Sequence, residues 1–232
     1  MFCETRKIEK HYLFVSLLGA LIALPCGWSL WTDYSRASER VDLLMAKRRA
    51  PISLIGIPEI QRVFDRRVSG IAEDRILDLS LHLYELSEAY DFDPAFILSL
   101  IHVESSFRAQ AISKAGARGL MQVMPNTGRY IANKEGFAYK SNNDLFDPFL
   151  NLSIGIDYLA ELRDRFHGNY FFMLAAYNAG PTKIKQLMAK TGYRFPITFA
   201  YYQKITDLIE PFRLESLGYI ENAVDEVSKT RI

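Results

Sequence analysis

A carboxylic acid continues the buried face of one predicted helix. Asp93-Pro94 predicts the start of that helix, because aspartate caps a helix N-terminus and proline is tolerated in the first turn. Apolar residues recur from Ile97 at offsets of +3 and +4, and Glu104 follows on the same face at +7. Partial burial and the negative end of the helix dipole both raise the pKa of a carboxyl group. Glu104 is therefore a candidate general acid that would protonate a leaving-group oxygen near neutral pH.

Periodicity alone leaves two structural alternatives for Glu104. Its side chain would either turn into solvent or pair with Arg108, one helical turn further along. The residues that follow favour the chemical interpretation. Glu104 opens the string ESSF at 104–107, and AISKAGARGLMQVMPNT follows at 111–127. Two more blocks come in order: LFDP at 145–148, continued by Asn151, Gly155 and Tyr158-Leu159, and then AYNAGP at 176–181.

These three ordered blocks closely resemble the signature of the soluble lytic transglycosylase (SLT) family. The resemblance implies an all-α, lysozyme-like domain of the goose-type lysozyme kind, with a cleft that holds the glycan strands of peptidoglycan. It also implies the reaction, a non-hydrolytic cleavage of the β-1,4 bond between N-acetylmuramic acid and N-acetylglucosamine that leaves 1,6-anhydro ends.

The same resemblance implies the residues of the site, with Glu104 as the sole catalytic acid and base. The residues expected to line the cleft around the sugar are Ser113, Met121, Gln122, Tyr177, Asn178 and Tyr219. Serine and glutamine supply donors and acceptors for hydroxyl and acetamido groups. Met121 would pack on a sugar face or else fill a gap in the core, and Tyr177 has a similar core alternative. Gly119 would let the backbone approach a flat sugar closely.

The tail of the chain departs from the family pattern. Many relatives carry Glu-Thr-Arg-x-Tyr-Val, whereas residues 215–220 read ESLGYI. Leu217 therefore stands where the pattern has arginine, and an anchor for a carboxylate, or for Glu215 itself, is expected to be lost. Tyr219 keeps the tyrosine of the pattern and is expected to reach Glu104.

Composition and motifs exclude several other classes of protein. The 28 Lys+Arg residues balance 27 Asp+Glu residues, so no overall field attracts nucleic acid. Cys3 and Cys26 are the only cysteines and both precede the globular region, so no disulfide or cysteine-bound metal holds it together. His82 and His102 show no metal-binding spacing, and no phosphate loop occurs. We expect neither a metal nor a cofactor.

Beyond about residue 70 the pattern is helical, which predicts an all-α fold. One apolar stripe comprises Leu77, Leu81, Tyr84, Leu86 and Ala89, and a second comprises Phe149, Leu152, Ile156, Leu159, Leu162 and Phe166. Gly180-Pro181 separates two helices.

The N-terminal region predicts a membrane anchor. Residues 12–32 carry no Asp, Glu, Lys or Arg over 21 residues, which is enough to span a bilayer as one transmembrane helix. A cleaved signal peptide and a lipoprotein signal at Cys26 are the alternatives. The expected organisation is a cytoplasmic tail at 1–11, the anchor or signal segment at 12–32, a stalk at 33–70 with Gly56 and Pro58 as breakers, and the SLT domain at 71–232.

Flanking positive charge does not decide the orientation of this segment. Because peptidoglycan lies outside the bacterial inner membrane, the resemblance implies a catalytic domain that faces the periplasm. The protein would be a single-pass inner-membrane protein, or periplasmic after signal-peptide cleavage. Its expected partners are the glycan strands, the inner membrane and a cell-envelope machinery that the sequence does not identify, with no nucleic acid.

Two other functions stay open at this point. A hydrolytic muramidase on the same fold normally needs a second carboxylate at about 5 to 9.5 Å, and Asp144, Asp147 and Asp157 have no evident place opposite Glu104. A non-catalytic peptidoglycan-binding scaffold of a secretion or conjugation apparatus is the other alternative, against which the intact Glu104 argues.

Overall fold

A computed structural model of the chain describes residues 55–190, 196–218 and 223–229. The predicted tail at 1–11, the segment at 12–32, most of the stalk and Tyr219 lie outside the described residues. No helix within the described ranges is long and apolar enough to cross a membrane. The helices are α1 (Ile57–Arg67), α2 (Ile76–Ala89), α3 (Pro94–Ser105), α4 (Pro125–Glu135), α5 (Pro148–Arg165), α6 (Tyr170–Ala179), α7 (Pro181–Met188), α8 (Pro196–Ser216) and α9 (Ala223–Lys229).

The described part of the chain is all-α, as the sequence predicted. Short 3₁₀ turns at Glu73–Arg75 and Asn142–Phe146 join some of the helices. β-type pairing is limited, in these ranges, to isolated bridges such as Ile112 with Arg118. The predicted helix break is also present, because α6 ends at Ala179 and α7 begins at Pro181.

Helix α3, which carries Glu104, lies in the core. Asp93 caps its N-terminus by accepting a hydrogen bond from the amide of Ala95 at 2.8 Å, as the Asp-Pro pair predicted. The predicted apolar stripe is fully buried, and so are residues such as Phe96 and Leu98 on other faces of the helix. Because α2 and α8 both pack against it, α3 is surrounded by protein along most of its length. A polar side chain on this helix is therefore held in a desolvated setting.

The predicted stalk at 33–70 is wrong over its last part. Residues 57–67 form helix α1, and Ile60, Val63 and Phe64 on this helix are completely buried against α2 and α8. Pro58 lies in the first turn, where its missing N–H costs nothing, and does not break the helix. The Gly56 amide donates to the Glu59 carboxylate at 3.0 Å, which completes the N-terminal cap. The globular domain therefore begins before residue 71.

The apolar stripe predicted for α2 is also wrong in register. Leu77 is 53% exposed and Leu81 is 40% exposed. The buried face comprises Ile76, Leu79, Ser80, Leu83 and Ser87. The two serines explain the error, because the prediction counted only apolar residues as buried. The Ser80 hydroxyl donates a hydrogen bond to the carbonyl of Ile76 at 2.7 Å, so this small polar side chain can be buried in the core. The stripe predicted for α5 is confirmed at Leu152, Ile156, Leu159 and Leu162.

Candidate active site

Glu104 lies in the last turn of α3, just before a sharp change of chain direction. Ser106 and Phe107 both adopt left-handed backbone conformations, with φ of 51° and 61°. Such conformations are costly for residues other than glycine and persist only where the surroundings impose them. Phe107 is 1% exposed and packs edge-on against Phe64 at 6.2 Å, so its burial holds the turn. The turn ends the helix directly after Glu104 and leads into the 108–124 loop.

The Glu104 carboxyl has the environment that the sequence predicted. Burial raises its pKa from the ordinary value of 4.5 to about 7, and a hydrogen bond from Tyr201 offsets part of that rise. Arg108 does not pair with it, because the Arg108 guanidinium donates to the carbonyl of Ser105 at 3.0 Å. A carboxyl group with such a pKa carries its proton over a large part of the neutral range and can both give and accept a proton.

Tyr201 on α8 is the residue that sequence reasoning missed. Its hydroxyl donates a hydrogen bond to Oε1 of Glu104, and its side chain is 9% exposed. The prediction assigned this contact to Tyr219, because Tyr219 keeps the tyrosine of the family pattern. Nothing in the sequence around Tyr201 marks it, since the contact arises only from the packing of α8 against α3. Tyr177 lies near the same carboxylate, and burial together with the charge of Glu104 raises its pKa well above the usual value.

Asn151 on α5 positions the loop that carries Gln122. The Asn151 side chain is completely buried, and its Nδ2 donates to the carbonyls of Arg118 and Leu145 at 2.9 and 2.8 Å. Its Oδ1 accepts from the amide of Met121 at 2.8 Å. A Cβ on Gly119 would lie 2.2 Å from Asn151 Nδ2. The close approach predicted for Gly119 therefore exists, but towards Asn151 and not towards a sugar.

Met121 does not line a surface, which corrects the prediction that it contacts sugar. Its side chain is completely buried and packs on Gly155 of α5, where a Cβ would lie 2.5 Å from its sulfur. The alternative core role applies, because a thioether fills an irregular gap between the loop and the helix. Met124, three residues further along, is 41% exposed.

Gln122 is half-buried in a left-handed conformation with φ of 50°. Its Nε2 donates to the carbonyls of Ala111 and Gly119 at 3.1 and 2.9 Å. Both amide protons are therefore used to hold the loop together, and Oε1 is the atom that can accept from a ligand. Ser113 is half-buried in the same loop, and its hydroxyl oxygen accepts from the amide of Ala117 at 3.0 Å. Its own hydroxyl proton stays available for donation.

Tyr177 joins the loop to helix α6. Its hydroxyl donates to the carbonyl of Met121 at 2.9 Å, and its ring lies 5.8 Å from that of Tyr158. Asn178, the next residue, is exposed in the last turn of α6. Tyr177 thus lies near Glu104 and is hydrogen-bonded to the loop that carries Gln122.

A cavity of about 350 Å³ near Arg75 and Gln110 is separate and contains none of the predicted site residues.

The aspartates considered as a second carboxylate are engaged elsewhere. Asp147 caps α5 by accepting from the amides of Phe149 and Leu150. Asp144 accepts from the amide of Ser141 at 2.9 Å, and Asp157 accepts from the hydroxyl of Tyr90 at 2.7 Å. No carboxylate among the described residues contributes to the pKa of Glu104. Glu104 therefore has no acidic partner within this part of the chain.

No cluster of potential metal ligands occurs among the described residues. His82 Nε2 lies 3.2 Å from the carbonyl of Phe149 and 2.9 Å from the hydroxyl of Ser153. His102 Nε2 lies 3.3 Å from the hydroxyl of Ser228, and burial lowers its pKa. Both histidines thus have the hydrogen-bonding roles typical of structural histidines.

The fold and this arrangement define the class of protein. Residues 83–196 match the family model described as the transglycosylase SLT domain. This part of the chain therefore matches the SLT family, as the three sequence blocks predicted.

Relatives of known name share this domain. The soluble lytic murein transglycosylase of Escherichia coli K12 is 31% identical over 131 residues, which cover 56% of this chain and 19% of the relative. The membrane-bound lytic murein transglycosylase C of Glaesserella parasuis is 38% identical over 105 residues, which cover 41% of this chain and 29% of the relative. This chain therefore spans only a minor part of the length of both relatives.

Solved structures give the same assignment. An inactive mutant of the lytic transglycosylase Slt from Pseudomonas aeruginosa aligns with a TM-score of 0.52 and 25% identity, covering 71% of this chain and 29% of that one. The 70 kDa soluble lytic transglycosylase of Escherichia coli aligns with a TM-score of 0.52 and 26% identity, covering 59% of this chain and 24% of that one.

Proposed function

We propose that this chain is a peptidoglycan lytic transglycosylase in which Glu104 is the single acid and base. The observation that carries the proposal is the Glu104 carboxyl itself, with a pKa of about 7, a hydrogen bond from Tyr201 and no acidic partner among the described residues. The names of the relatives, which are lytic murein transglycosylases, support the same activity.

The first step is protonation of the leaving group. Glu104 gives its proton to the glycosidic oxygen between N-acetylmuramic acid and N-acetylglucosamine, and the bond between that oxygen and the anomeric carbon breaks. Because no carboxylate among the described residues pairs with Glu104, we assign stabilisation of the positive charge at the anomeric carbon to the substrate's own 2-acetamido oxygen, which bonds to that carbon. Proximity within the sugar replaces a second side chain. Tyr177 or Asn178 is assigned to orient this acetamido group.

The second step returns the proton to Glu104. The ionised carboxylate removes the proton from the muramyl 6-hydroxyl, and the 6-oxygen bonds to the anomeric carbon and closes the 1,6-anhydro ring as the bond between that carbon and the acetamido oxygen breaks. No water is consumed. Ser113 and Gln122 are assigned to neighbouring sugar groups, with Ser113 donating from its hydroxyl and Gln122 accepting at Oε1.

We place the protein at the inner membrane with this domain in the periplasm, through the apolar segment at 12–32. A membrane-bound relative supports the placement. The test is fractionation of the full chain, which should stay with membranes after a high-salt wash, because salt weakens charge contacts but not an apolar span. Recovery of the uncleaved full chain in the soluble fraction would contradict it.

Glu104→Gln tests the activity directly. The amide keeps the shape of the side chain and loses the transferable proton, so release of muropeptides from purified sacculi should fall at least about a hundredfold while glycan binding persists. A glutamate-to-glutamine mutant of the Pseudomonas aeruginosa neighbour is inactive. Retention of more than about one hundredth of the activity would remove Glu104 from the proposed role.

A further inference from the structure

His102 on α3 faces the C-terminal helix α9. It lies two residues before Glu104, about 200° around the helix, so the two side chains point to opposite sides of α3. His102 Nε2 lies 3.3 Å from the hydroxyl oxygen of Ser228 on α9. The Ser228 hydroxyl donates its single proton to the carbonyl of Val224 at 2.8 Å. Ser228 can therefore only accept from His102, which means that Nε2 carries the imidazole proton.

The other ring nitrogen of His102 is an unpaired acceptor. Nδ1 is buried and makes no hydrogen bond to the residues that the structure describes. The rings of Phe107 and Phe212 lie 6.0 and 5.8 Å from the imidazole, so aromatic rings surround part of it. A second proton on Nδ1 would place a charged donor where no acceptor is available, which costs more than a neutral acceptor left unpaired. This site accommodates the neutral imidazole and penalises the imidazolium.

The charged groups around His102 also oppose a second positive charge. They are Arg67 of α1, Glu215 of α8 and Asp225 of α9. Arg67 donates to Glu215 at 2.8 and 2.9 Å and to Asp225 at 3.0 Å, so both carboxylates are already paired with a cation. Burial and then the charge of Arg67 lower the pKa of His102 below its ordinary value, and the two carboxylates offset only part of this.

Helix α9 depends on a small set of contacts for its position. It comprises the seven residues Ala223–Lys229, and a helix of two turns is not stable by itself in water. Val224 is completely buried, whereas the side chain of Asp225, which pairs with Arg67, is 43% exposed. The contact between Ser228 and His102 adds to these. Because so few groups hold α9, a change of charge at His102 is enough to shift its docking equilibrium.

We propose that His102 makes the docking of α9 sensitive to pH, because the neutral imidazole holds α9 against α3 and the imidazolium releases it. In the docked state a proton on Nδ1 finds no acceptor, whereas release of α9 lets water reach the ring. The released helix unfolds, separates Asp225 from Arg67 and uncovers the face of α3 opposite Glu104. The inference does not depend on the reaction proposed for Glu104.

The direction of the pH dependence follows from the two states of His102. Its pKa is lowered while α9 is docked and returns towards the ordinary 6.5 when α9 is released, so the released state binds the proton more tightly. Docking is therefore fully present above about pH 6.5 and is lost as pH falls towards the docked pKa. Linkage to a single proton limits the change to about tenfold per pH unit.

Hydrogen exchange of the amides at 223–229 measures this equilibrium directly. The full chain is used in a Glu104→Gln background, because Glu104 itself has a pKa of about 7 and would titrate in the same range. With intrinsic exchange rates divided out, protection of α9 should fall about three- to tenfold between pH 7.5 and pH 5.5. This range lies above the ordinary pKa values of carboxylates.

His102→Gln is the variant that isolates the imidazole. Its amide keeps a donor towards Ser228 and does not ionise, so protection of α9 should stay constant over the same range. The matched control is His82→Gln, because His82 Nε2 contacts the Phe149 carbonyl and the Ser153 hydroxyl at 3.2 and 2.9 Å and not α9. This control should keep the full pH-dependent fall.

Two results would overturn the role of His102: constant protection in the chain that keeps His102, or an equal fall in His102→Gln. If His102→Gln leaves α9 unprotected even at pH 7.5, a ¹⁵N NMR titration of the His102 ring in the unsubstituted position decides. Protonation of the imidazole at the pH where α9 loses protection supports the proposal. An imidazolium that forms while α9 stays protected overturns it.

Discussion

Arg67 and Glu215 form a double hydrogen-bonded ion pair between α1 and the end of α8. Arg67 Nε lies 2.8 Å from Glu215 Oε1, and Nη2 lies 2.9 Å from Oε2. Arg67 also contacts Asp225 of α9 at 3.0 Å. The arginine expected at Leu217 is therefore replaced, as an anchor for Glu215, by one that lies 150 residues earlier in the chain. The anchor is supplied by the region that the sequence analysis assigned to a stalk.

Arg67→Ala should destabilise the domain strongly. The Glu215 side chain is 2% exposed, so the substitution leaves a buried carboxylate without its main cationic partner. Breaking a buried pair in this way costs about 3–5 kcal/mol. Urea unfolding of Arg67→Ala measures the loss, and Arg165→Ala is the control, because its pair with Glu161 is more exposed and is worth about 0–1 kcal/mol. Equal losses in the two variants would contradict the structural role of Arg67.

Leu217→Arg should change little. Glu215 is already satisfied by Arg67, so a new arginine at 217 finds no unpaired Glu215 to anchor. We expect a change in unfolding free energy within about 0.5 kcal/mol and nearly unchanged kcat. Thermal unfolding and steady-state kinetics on soluble glycan strands check this. A tenfold rise in kcat would show that the missing arginine serves the chemical step.

Asn151→Ala should loosen the loop of Gln122. The substitution removes three buried hydrogen bonds and leaves the carbonyls of Arg118 and Leu145 without this partner. We expect a loss of about 2–4 kcal/mol in unfolding free energy and a rise in KM. The control is Asn143→Ala, since Asn143 is exposed and accepts a single hydrogen bond from Arg118 at 2.6 Å. An Asn151→Ala variant as stable as Asn143→Ala would argue against this role.

The pKa of Glu104 also makes stability depend on pH. Its value is raised on folding, from 4.5 to about 7, so its ionisation favours the unfolded chain. The resulting stability is fully present below pH 4.5 and is lost as pH rises through about 7. Glu104→Gln should thus be more stable than the wild type at pH 8, by about 1–3 kcal/mol, with a smaller difference at pH 5. Equal unfolding free energies at pH 8 would contradict the burial of this carboxyl.

Local sequence signals predicted the catalytic helix well. The Asp93 cap, the apolar stripe and the place of Glu104 after that stripe all depend on residues within one helix, where spacing determines which side chains share a face. The match to the SLT family followed from contiguous blocks for the same reason. The helix break before Pro181 was equally local.

Long-range contacts could not be predicted from the sequence. Tyr201 meets Glu104 across 97 positions, and Arg67 meets Glu215 across 148, so no spacing rule connects either pair. Met121 was misassigned because a motif position does not tell whether a side chain faces a ligand or the core, and Gly155 makes room for it from another helix. In α2, two serines occupy the buried face, and Ser80 donates its hydroxyl to the carbonyl of Ile76 in the same helix, so the buried face does not coincide with the apolar residues.

The nature of the products tests the central claim most directly. Sacculi digested by the wild-type protein in ¹⁸O-labelled water should yield muropeptides with 1,6-anhydro-N-acetylmuramic acid ends and no incorporated label, because the muramyl 6-hydroxyl and not water attacks the anomeric carbon. Mass spectrometry distinguishes the two outcomes, since an anhydro end is one water lighter than a reducing end. Reducing muramyl ends that carry ¹⁸O would show hydrolysis and contradict the transglycosylase assignment.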